Sequence, residues 1–428
     1  MAIERRPQGW RPFSDFARVW QPLRLKGILV GTDEGTPFLA ATQVFDIRPV
    51  ARKWLALERT SAATERFVHP GQILVTCSGA VGRATLAYAP HANTLISHDL
   101  LRVDTRDVLM RGWIYAYLRS PQARAMMSGA QYGHIIKHLE TTHLNALPVP
   151  EVDAATAADF EQRVARLLGL RNESYRHILE AERLFAESFG SVTPFANEAA
   201  FACETSHLSG GRRRMEANFH APEVKAILRR IKTIGSASTV GEVTERVWWM
   251  TRFKRFFGEG GIPYVSADEL FSINPTETKQ ILADAGDNHE NYFVRAGWLV
   301  MACSGQVYGL NGSAMLMTHG NEAKFFSHDL IRIIPKKDTV RPGYLLTALT
   351  HPKLGRPLVI RHAYGTSIPH LDPADVSDIP VVRFPIAIEN AIADHAEASA
   401  ETRAEADELE RKLAEDAGHL IDEFIAGR

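Results

Sequence analysis

A chain of 428 residues exceeds the ~100–200 residues of an average domain and predicts more than one core. Hydrophobic residues at 45% and charged residues at 23% sit near the globular norm, which excludes disordered, collagen-like and fibrous classes. The net charge of −1 conceals a segregation: residues 386–428 carry four Arg/Lys against twelve Asp/Glu and residues 151–190 five against eight, leaving about +10 elsewhere, an excess that permits DNA binding without requiring it.

No run of ~18 apolar residues occurs, and Met1-Ala-Ile-Glu-Arg-Arg has no apolar stretch behind its charges. No membrane span or signal peptide is expected, and a cytoplasmic location follows. Cys77, Cys203 and Cys303 have no C-x-x-C spacing, which predicts reduced thiols and argues against a disulfide framework or zinc ribbon.

In chain order, the first distinctive segment is Arg18-Val-Trp-Gln-Pro-Leu-Arg-Leu-Lys26, cations interleaved with an aromatic ring. Gly35-Thr-Pro-Phe-Leu-Ala-Ala-Thr-Gln-Val-Phe-Asp-Ile-Arg-Pro49 follows, then a strand-like run, Gly71-Gln-Ile-Leu-Val-Thr-Cys-Ser-Gly-Ala-Val81, ending in a Cys-Ser-Gly turn. Ser97-His-Asp-Leu-Leu-Arg102 comes next, then Tyr132-Gly133 with His138-Leu139 and Pro148. The period then turns helical: Phe160, Val164, Leu167, Tyr175, Ile178, Phe185 and Phe189 form a stripe that predicts a helix over 154–189. Residues 191–216, with Pro194, Gly210-Gly211 and Arg212-Arg213-Arg214, read as a linker.

The series then recurs in the same order at a nearly constant offset. Arg246-Val-Trp-Trp-Met-Thr-Arg-Phe-Lys254 repeats the pattern R-V-W-x3-R-x-K, and the run Gly261 to Pro275 is identical to its counterpart at six of fifteen positions. Gly297 to Val307 repeats the Cys-Ser-Gly turn, Ser327-His-Asp-Leu-Ile-Arg332 repeats the fourth segment, and Tyr364-Gly365, His370-Leu371 and Pro380 repeat the last. A second stripe, Ile388, Ile392, Ala406, Leu409, Leu413, Leu420 and Phe424, predicts a helix over 386–425. At ~1.5 Å per residue each helix spans on the order of 50–60 Å, more than a compact domain needs over its own core, so both read as spacers. Gly169 in the first, and His395, Ser399 and Thr402 in the second, interrupt the stripes and predict a weakly packed middle. The expected fold is mixed α/β (α+β): two pseudo-repeated globular parts, 1–150 and 217–385, and two long helices, 151–190 and 386–428, forming an antiparallel coiled coil.

Ser97-His98-Asp99 and its repeat invite a nucleophilic reading, with a duplicated nuclease or hydrolase as the alternative function. On a strand His98 would face away from both neighbours, so the preferred reading makes His98 and His328 hydrogen-bonded strand residues, with Asp99 and Asp329 capping a turn or pairing with the following Arg. No site in this chain is expected to be catalytic, and none to bind metal. Cys77-Ser-Gly79 and Cys303-Ser-Gly305 read as a buried thiol before a tight turn, whose Ser78 and Ser304 could also bond a DNA phosphate. The R-V-W-x3-R-x-K segments either face DNA, neutralising phosphates and reading base edges through Arg, or pack their Trp with the charges solvated. The DNA-binding candidates in the first copy are Arg18, Trp20, Arg24, Lys26, Ser78, Arg83, Tyr132, His134 and Lys137. In the second copy they are Arg246, Trp248, Arg252, Lys254, Arg255, Ser304, Gln306, Tyr308, Tyr364, Thr366, Ser367 and His370. The polar residues of the Tyr132-Gly and Tyr364-Gly loops differ although their frames match. No G-x-x-x-x-G-K-[ST], no strand-associated G-x-G-x-x-G and no N-P-P-Y or D-P-P-Y is present.

In the order of these modules and in its G-x-[IL]-[LV], S-H-D-L-[IL]-R, Y-G and [LI]-P anchors, the chain resembles the specificity subunits of type I restriction-modification systems over nearly its whole length. Arg212 to Pro222 is similar to the segment leading into that family's second recognition domain; the first copy has no counterpart of the helix expected near Pro222 to Lys232. The resemblance implies a non-catalytic, sequence-specific subunit whose target-recognition domains, 1–150 and 217–385, each read one half of a split double-stranded DNA site. It implies helices packed antiparallel to set the gap, two methyltransferase subunits that carry S-adenosylmethionine (this chain itself having no cofactor), and a motor-nuclease subunit as a further partner.

Overall fold

The computed structural model describes residues 9–24, 26–60, 62–130, 138–192, 200–209, 213–273, 279–282 and 289–427, with the backbone alone for His207, Ser209 and His289. The chain divides into two compact units: unit 1 comprises Met1–Tyr175, Ser272–Thr276 and Glu405–Arg428, and unit 2 comprises Arg176–Phe271 and Glu277–Ala404.

Unit 1 carries strands β1 (Trp10–Pro12), β2 (Ala17–Trp20), β3 (Leu29–Val30), β4 (Thr36–Leu39), β5 (Lys53–Leu55), β6 (Ile73–Thr76), β7 (Ala84–Leu86), β8 (Leu95–Ile96), β9 (Leu100–Thr105) and β10 (Pro148–Pro150). One sheet runs β2-β9-β6-β7, antiparallel throughout, and a second runs β3-β5-β4-β8, where β4 and β8 are parallel. β6 is buried at every position, which is why its sequence is a continuous apolar run without alternation. The helix Arg111–Arg119 buries Trp113, Tyr115 and Tyr117 in the same core.

Unit 2 carries β11 (Ala237–Thr239), β12 (Thr244–Trp248), β13 (Phe257–Val265), β14 (Gln280–Ile281), β15 (Leu299–Ala302), β16 (Ala314–Leu316), β17 (Phe325–Phe326), β18 (Leu330–Pro335) and β19 (Pro380–Val382). Its sheet β12-β18-β15-β16 repeats β2-β9-β6-β7 in strand order, with a register shift in β12 between Thr244 and Arg246, and its three-stranded sheet β14-β13-β17 repeats β5-β4-β8 without a counterpart of β3. Trp20 pairs with Arg102 and Trp248 with Arg332; Thr76 pairs with Leu100 and Ala302 with Leu330; Leu39 pairs with Ile96 in parallel and Val265 with Phe326. The duplication therefore lies in the hydrogen-bond ladder, where a one-residue slip would turn every side chain to the wrong face.

The long helices are Ala154–Phe189 (36 residues) and Ile386–Ala426 (41 residues). They are more than spacers. Phe160, Val164 and Leu167 from the first, with Ala406, Leu413, Ala417 and Ile421 from the second, complete the unit 1 core. Phe185, Phe189, Ile392, Ala396 and Ala400 do the same in unit 2. Each helix is long because each unit uses a part of both. In unit 1 they run antiparallel, Arg163 meeting Asp416 at 2.5 Å and Arg171 meeting Asp407 and Glu410 at 2.7 Å each. The expected weak middle is instead polar and packed: Arg171, Ser174 and Glu410 are buried in unit 1, and Ser399 in unit 2. Burial opposes the Arg171 charge, but Asp407 and Glu410 outweigh it and raise its pKa. Within unit 2, His177 and His395 approach Nδ1 to Nδ1 at 2.8 Å. Among the described residues, no helix is long and apolar enough to cross a membrane.

Candidate nucleic-acid interface

In both units one corner of the main sheet brings together the Ser-His-Asp and Cys-Ser-Gly segments, far apart in sequence, and in unit 2 a third segment joins them. The Ser-His-Asp segment is a turn joining β8 to β9, or β17 to β18, and not strand, so the expected alternation fails. In the turn the Ser97 hydroxyl donates to Asp99 at 2.9 Å and accepts from the Asp99 amide, while His98 Nε2 lies 3.6 Å from Asp99. The second copy repeats this, with His328 Nε2 3.3 Å from Asp329. Among the described residues neither buried Nδ1 has a hydrogen-bond partner, and each histidine sits in a turn, so neither is the strand residue expected. Burial, with Arg255 and Arg252 nearby and Asp329 opposing, lowers the His328 pKa.

The arginine after each turn does not pair with the aspartate. Arg102 is fully buried, donating from Nη1 to the Ser97 and Leu100 carbonyls and from Nη2 to Ile96. Arg332 bonds the Ser327, Leu330 and Phe326 carbonyls in the same way. Burial pushes both guanidiniums down to about 10. One planar fork thus holds the turn by its backbone, and Ser97 and Ser327, themselves buried, are not exposed nucleophiles. Burial also pushes the Cys77 thiol up to about 12 and Cys303 to about 11, so neither ionises near neutrality. Among the described residues, no group of three or more His, Cys, Asp or Glu is placed to hold a metal.

The Cys-Ser-Gly turns lie against this corner, the Cys77 amide bonding the Asp99 carbonyl at 3.1 Å and the Cys303 amide that of Asp329 at 3.3 Å. Gly79 sits at φ +72° and Gly305 at +117°, the left-handed region that glycine enters without strain. The third segment is the Tyr-Gly loop. In unit 2 Tyr364 and Ser304 each bridge to His370, the Ser304 hydroxyl lies 2.9 Å from His370 Nδ1, and Gln306 donates to the Ser367 carbonyl at 2.8 Å. Tyr308, Tyr364, Thr366, Ser367 and His370 are exposed. In unit 1 Ser78 bridges to His138 and bonds Asp99 at 3.3 Å, while Tyr132, His134 and Lys137 lie outside the described residues.

The R-V-W strands reach the same corner by pairing with β9 and β18. Their tryptophans are half-buried: Trp20 Nε1 donates to Asp104 at 2.6 Å with Arg18 6.0 Å above its ring, and Trp248 has Arg246 at 4.5 Å. Arg18, Arg24, Lys26, Arg246, Arg252, Lys254 and Arg255 keep their charges at the surface. Gln21, on the segment after β2, donates to the His98 carbonyl at 2.8 Å and so ties this strand end to the turn; nothing in the sequence marks it. Arg83 is placed otherwise: it donates to Ser272 Oγ at 2.7 Å, lies 4.2 Å over Phe45, and burial, then Arg119 and Arg124, lower it to about 10.

No protein-family model and no curated protein matches the chain. Solved structures do. The crystal structure of a type I restriction-modification system S subunit from M. genitalium is 14% identical over 97% of this chain and 94% of that one, with a TM-score of 0.35. A structure described as the basis of complex assembly and conformational transition of the type I system is 14% identical over 98% of both chains, at 0.30. The HsdS subunit from Thermoanaerobacter tengcongensis is 12% identical over 97% and 96%, at 0.28. The chain is similar, along nearly its whole length, to the S subunits of type I restriction-modification systems.

Proposed function

We propose that the chain is a non-catalytic DNA-recognition subunit that reads a bipartite target, one half-site by each unit. The observation that carries this reading is the repeated corner. A buried arginine and a register-matched sheet hold the same frame twice, and the exposed cations Arg18, Arg24 and Lys26 recur as Arg246, Arg252 and Lys254, while other exposed positions differ: Gln21, Gly27 and Ala80 in one unit stand where Trp249, Arg255 and Gln306 do in the other. Fixed frames with variable polar loops suit reading two different sequences, and the cations supply the sequence-independent phosphate attraction. In the same reading the acidic outer faces of the long helices take two methyltransferase subunits, which bring S-adenosylmethionine, with a motor-nuclease subunit as a further partner.

The first test is duplex binding by the purified chain at two salt concentrations, where affinity should fall steeply with salt. Arg252→Ala and Lys254→Ala should each flatten the log–log slope by about 0.9. Salt-independent binding, or none, would overturn the reading. So would Mg²⁺-dependent cutting by the chain alone that His98→Ala and His328→Ala abolish. Methylation mapping of the host genome tests the split target: one bipartite motif should vanish when the gene is deleted.

A further inference from the structure

Unit 2 contains a recess of about 510 Å³, within the ~300–1,000 Å³ range of small-ligand sites, with Arg252, Arg255, Lys279, Phe257, Tyr264 and Glu269 in its lining. Its cations and rings share one wall: Arg255 Nη1 donates to the Tyr264 hydroxyl at 3.1 Å, and Lys279 Nζ lies 5.5 Å from the Phe257 centroid. Phe257 and Tyr264 meet edge to face at 5.4 Å. Glu269 is fixed at the rim by the Ser266 amide and hydroxyl, each 2.9 Å from Oε2. Phe253 lines the recess as well and packs 5.8 Å from His328, so the recess adjoins the Ser-His-Asp turn.

Unit 1 has no equivalent wall in its sequence. Where unit 2 has Arg255, Phe257 and Tyr264, the repeat places Gly27, Leu29 and Phe38, which removes one guanidinium, one ring and the hydroxyl. The contrast extends over the surface: among the described residues, the exposed large hydrophobics of unit 1 are all aliphatic, while unit 2 exposes Trp249, Phe256, Phe257, Tyr308 and Tyr364.

We propose that this recess of unit 2 takes one unstacked nucleotide, its phosphate on Arg252, Arg255 and Lys279, its base against Phe257 and Tyr264, with Glu269 accepting from a base N–H. Cations alone would suit any phosphate. The rings add a demand that paired, stacked DNA cannot meet, because the faces of its bases are covered by their neighbours. The two halves of the target are then read differently, unit 1 from an intact duplex and unit 2 with one base out of the stack. This rests on the DNA-recognition reading above.

The experiment measures, by fluorescence anisotropy with the full chain, affinity for a random-sequence duplex and for the same duplex carrying one unpaired thymidine. The bulged duplex should bind several-fold more tightly. Phe257→Ala should remove most of that advantage, since loss of one stacking side chain costs about tenfold in affinity. Arg255→Gln, which leaves the aromatic wall intact, should cut it as well, and Leu29→Ala in unit 1 should leave it unchanged. Equal affinity of the wild-type chain for both duplexes, or an advantage that survives both unit 2 substitutions, overturns the pocket while leaving DNA recognition standing. Failure to bind either duplex overturns both.

Discussion

At the scale of single residues, the least legible features are buried charges and imidazoles. Nothing in Ser-His-Asp-Leu-Leu-Arg distinguishes an arginine pairing with the aspartate from one turned inward onto carbonyls. The choice depends on where the turn's carbonyls point, which only the fold sets. His91 is a second case. Its Nδ1 accepts from the Tyr88 amide at 3.2 Å and its Nε2 donates to the Val44 carbonyl at 3.0 Å, so the folded state requires the neutral ring. Burial, against the Val44 carbonyl, pushes its pKa down from 6.5 to about 4. Because the folded value is depressed, this stability is complete above the unfolded pKa and is lost as pH falls from about 6.5 through about 4. Denaturant unfolding should therefore show the wild-type chain losing on the order of 3 kcal/mol more than His91→Gln between pH 7 and pH 4. Parallel losses in the two proteins would assign the acid sensitivity elsewhere.

At the scale of elements, the long helices were readable in the sequence to within a residue or two, because a sustained 3.6-residue stripe is the strongest local signal a chain carries. What they pack against was not readable, for a physical reason: periodicity shows which face is apolar and is silent on what covers it. The short strands β3, β5, β14 and β17 carry too few residues for a period, and were not legible. Nor was the close approach of the helix Arg111–Arg119 to the first long helix. A Cβ on Gly112 would fall 2.2 Å from the Glu161 amide nitrogen, and the Gly112 amide donates to Glu161 Oε2 at 2.9 Å. Gly343 repeats this against Ala393 and Glu397 in unit 2. Gly112→Ala should thus cost about 1–3 kcal/mol, as overpacking does. Gly169→Ala, on an exposed helical face with nothing within 4 Å, should stabilise by about 1 kcal/mol. Equal effects in equilibrium unfolding would show that helix propensity, and not backbone contact, sets the cost at Gly112.

At the scale of the whole molecule, the duplication was legible because both copies keep the same turn glycines, apolar runs and inward arginines, which a conserved ladder demands. The content of the site was less so. Gln21 and Asn311 look like ordinary surface amides in the sequence, yet one ties a strand end to the Ser-His-Asp turn and the other, fully buried, bonds the Gly305 and Pro369 carbonyls at 2.9 Å each. Charge segregation, by contrast, follows directly from composition, since acidic residues on a long helix need no fold to be located.

Trp10 and Phe424 meet edge to face with centroids 6.4 Å apart, inside unit 1. Within unit 1 the first strand and the last helix of the described chain thus lie side by side, near enough for a linker to join them and close the chain into a ring. A ring can be cut elsewhere. Joining the two ends with a short glycine-serine linker and opening the chain at Phe201–Glu204, which has no regular secondary structure, should give a circular permutant with an unchanged circular dichroism spectrum and a melting temperature within a few degrees of the original. Order along the chain would then be incidental to this protein, and adjacency in space would be what its sequence encodes.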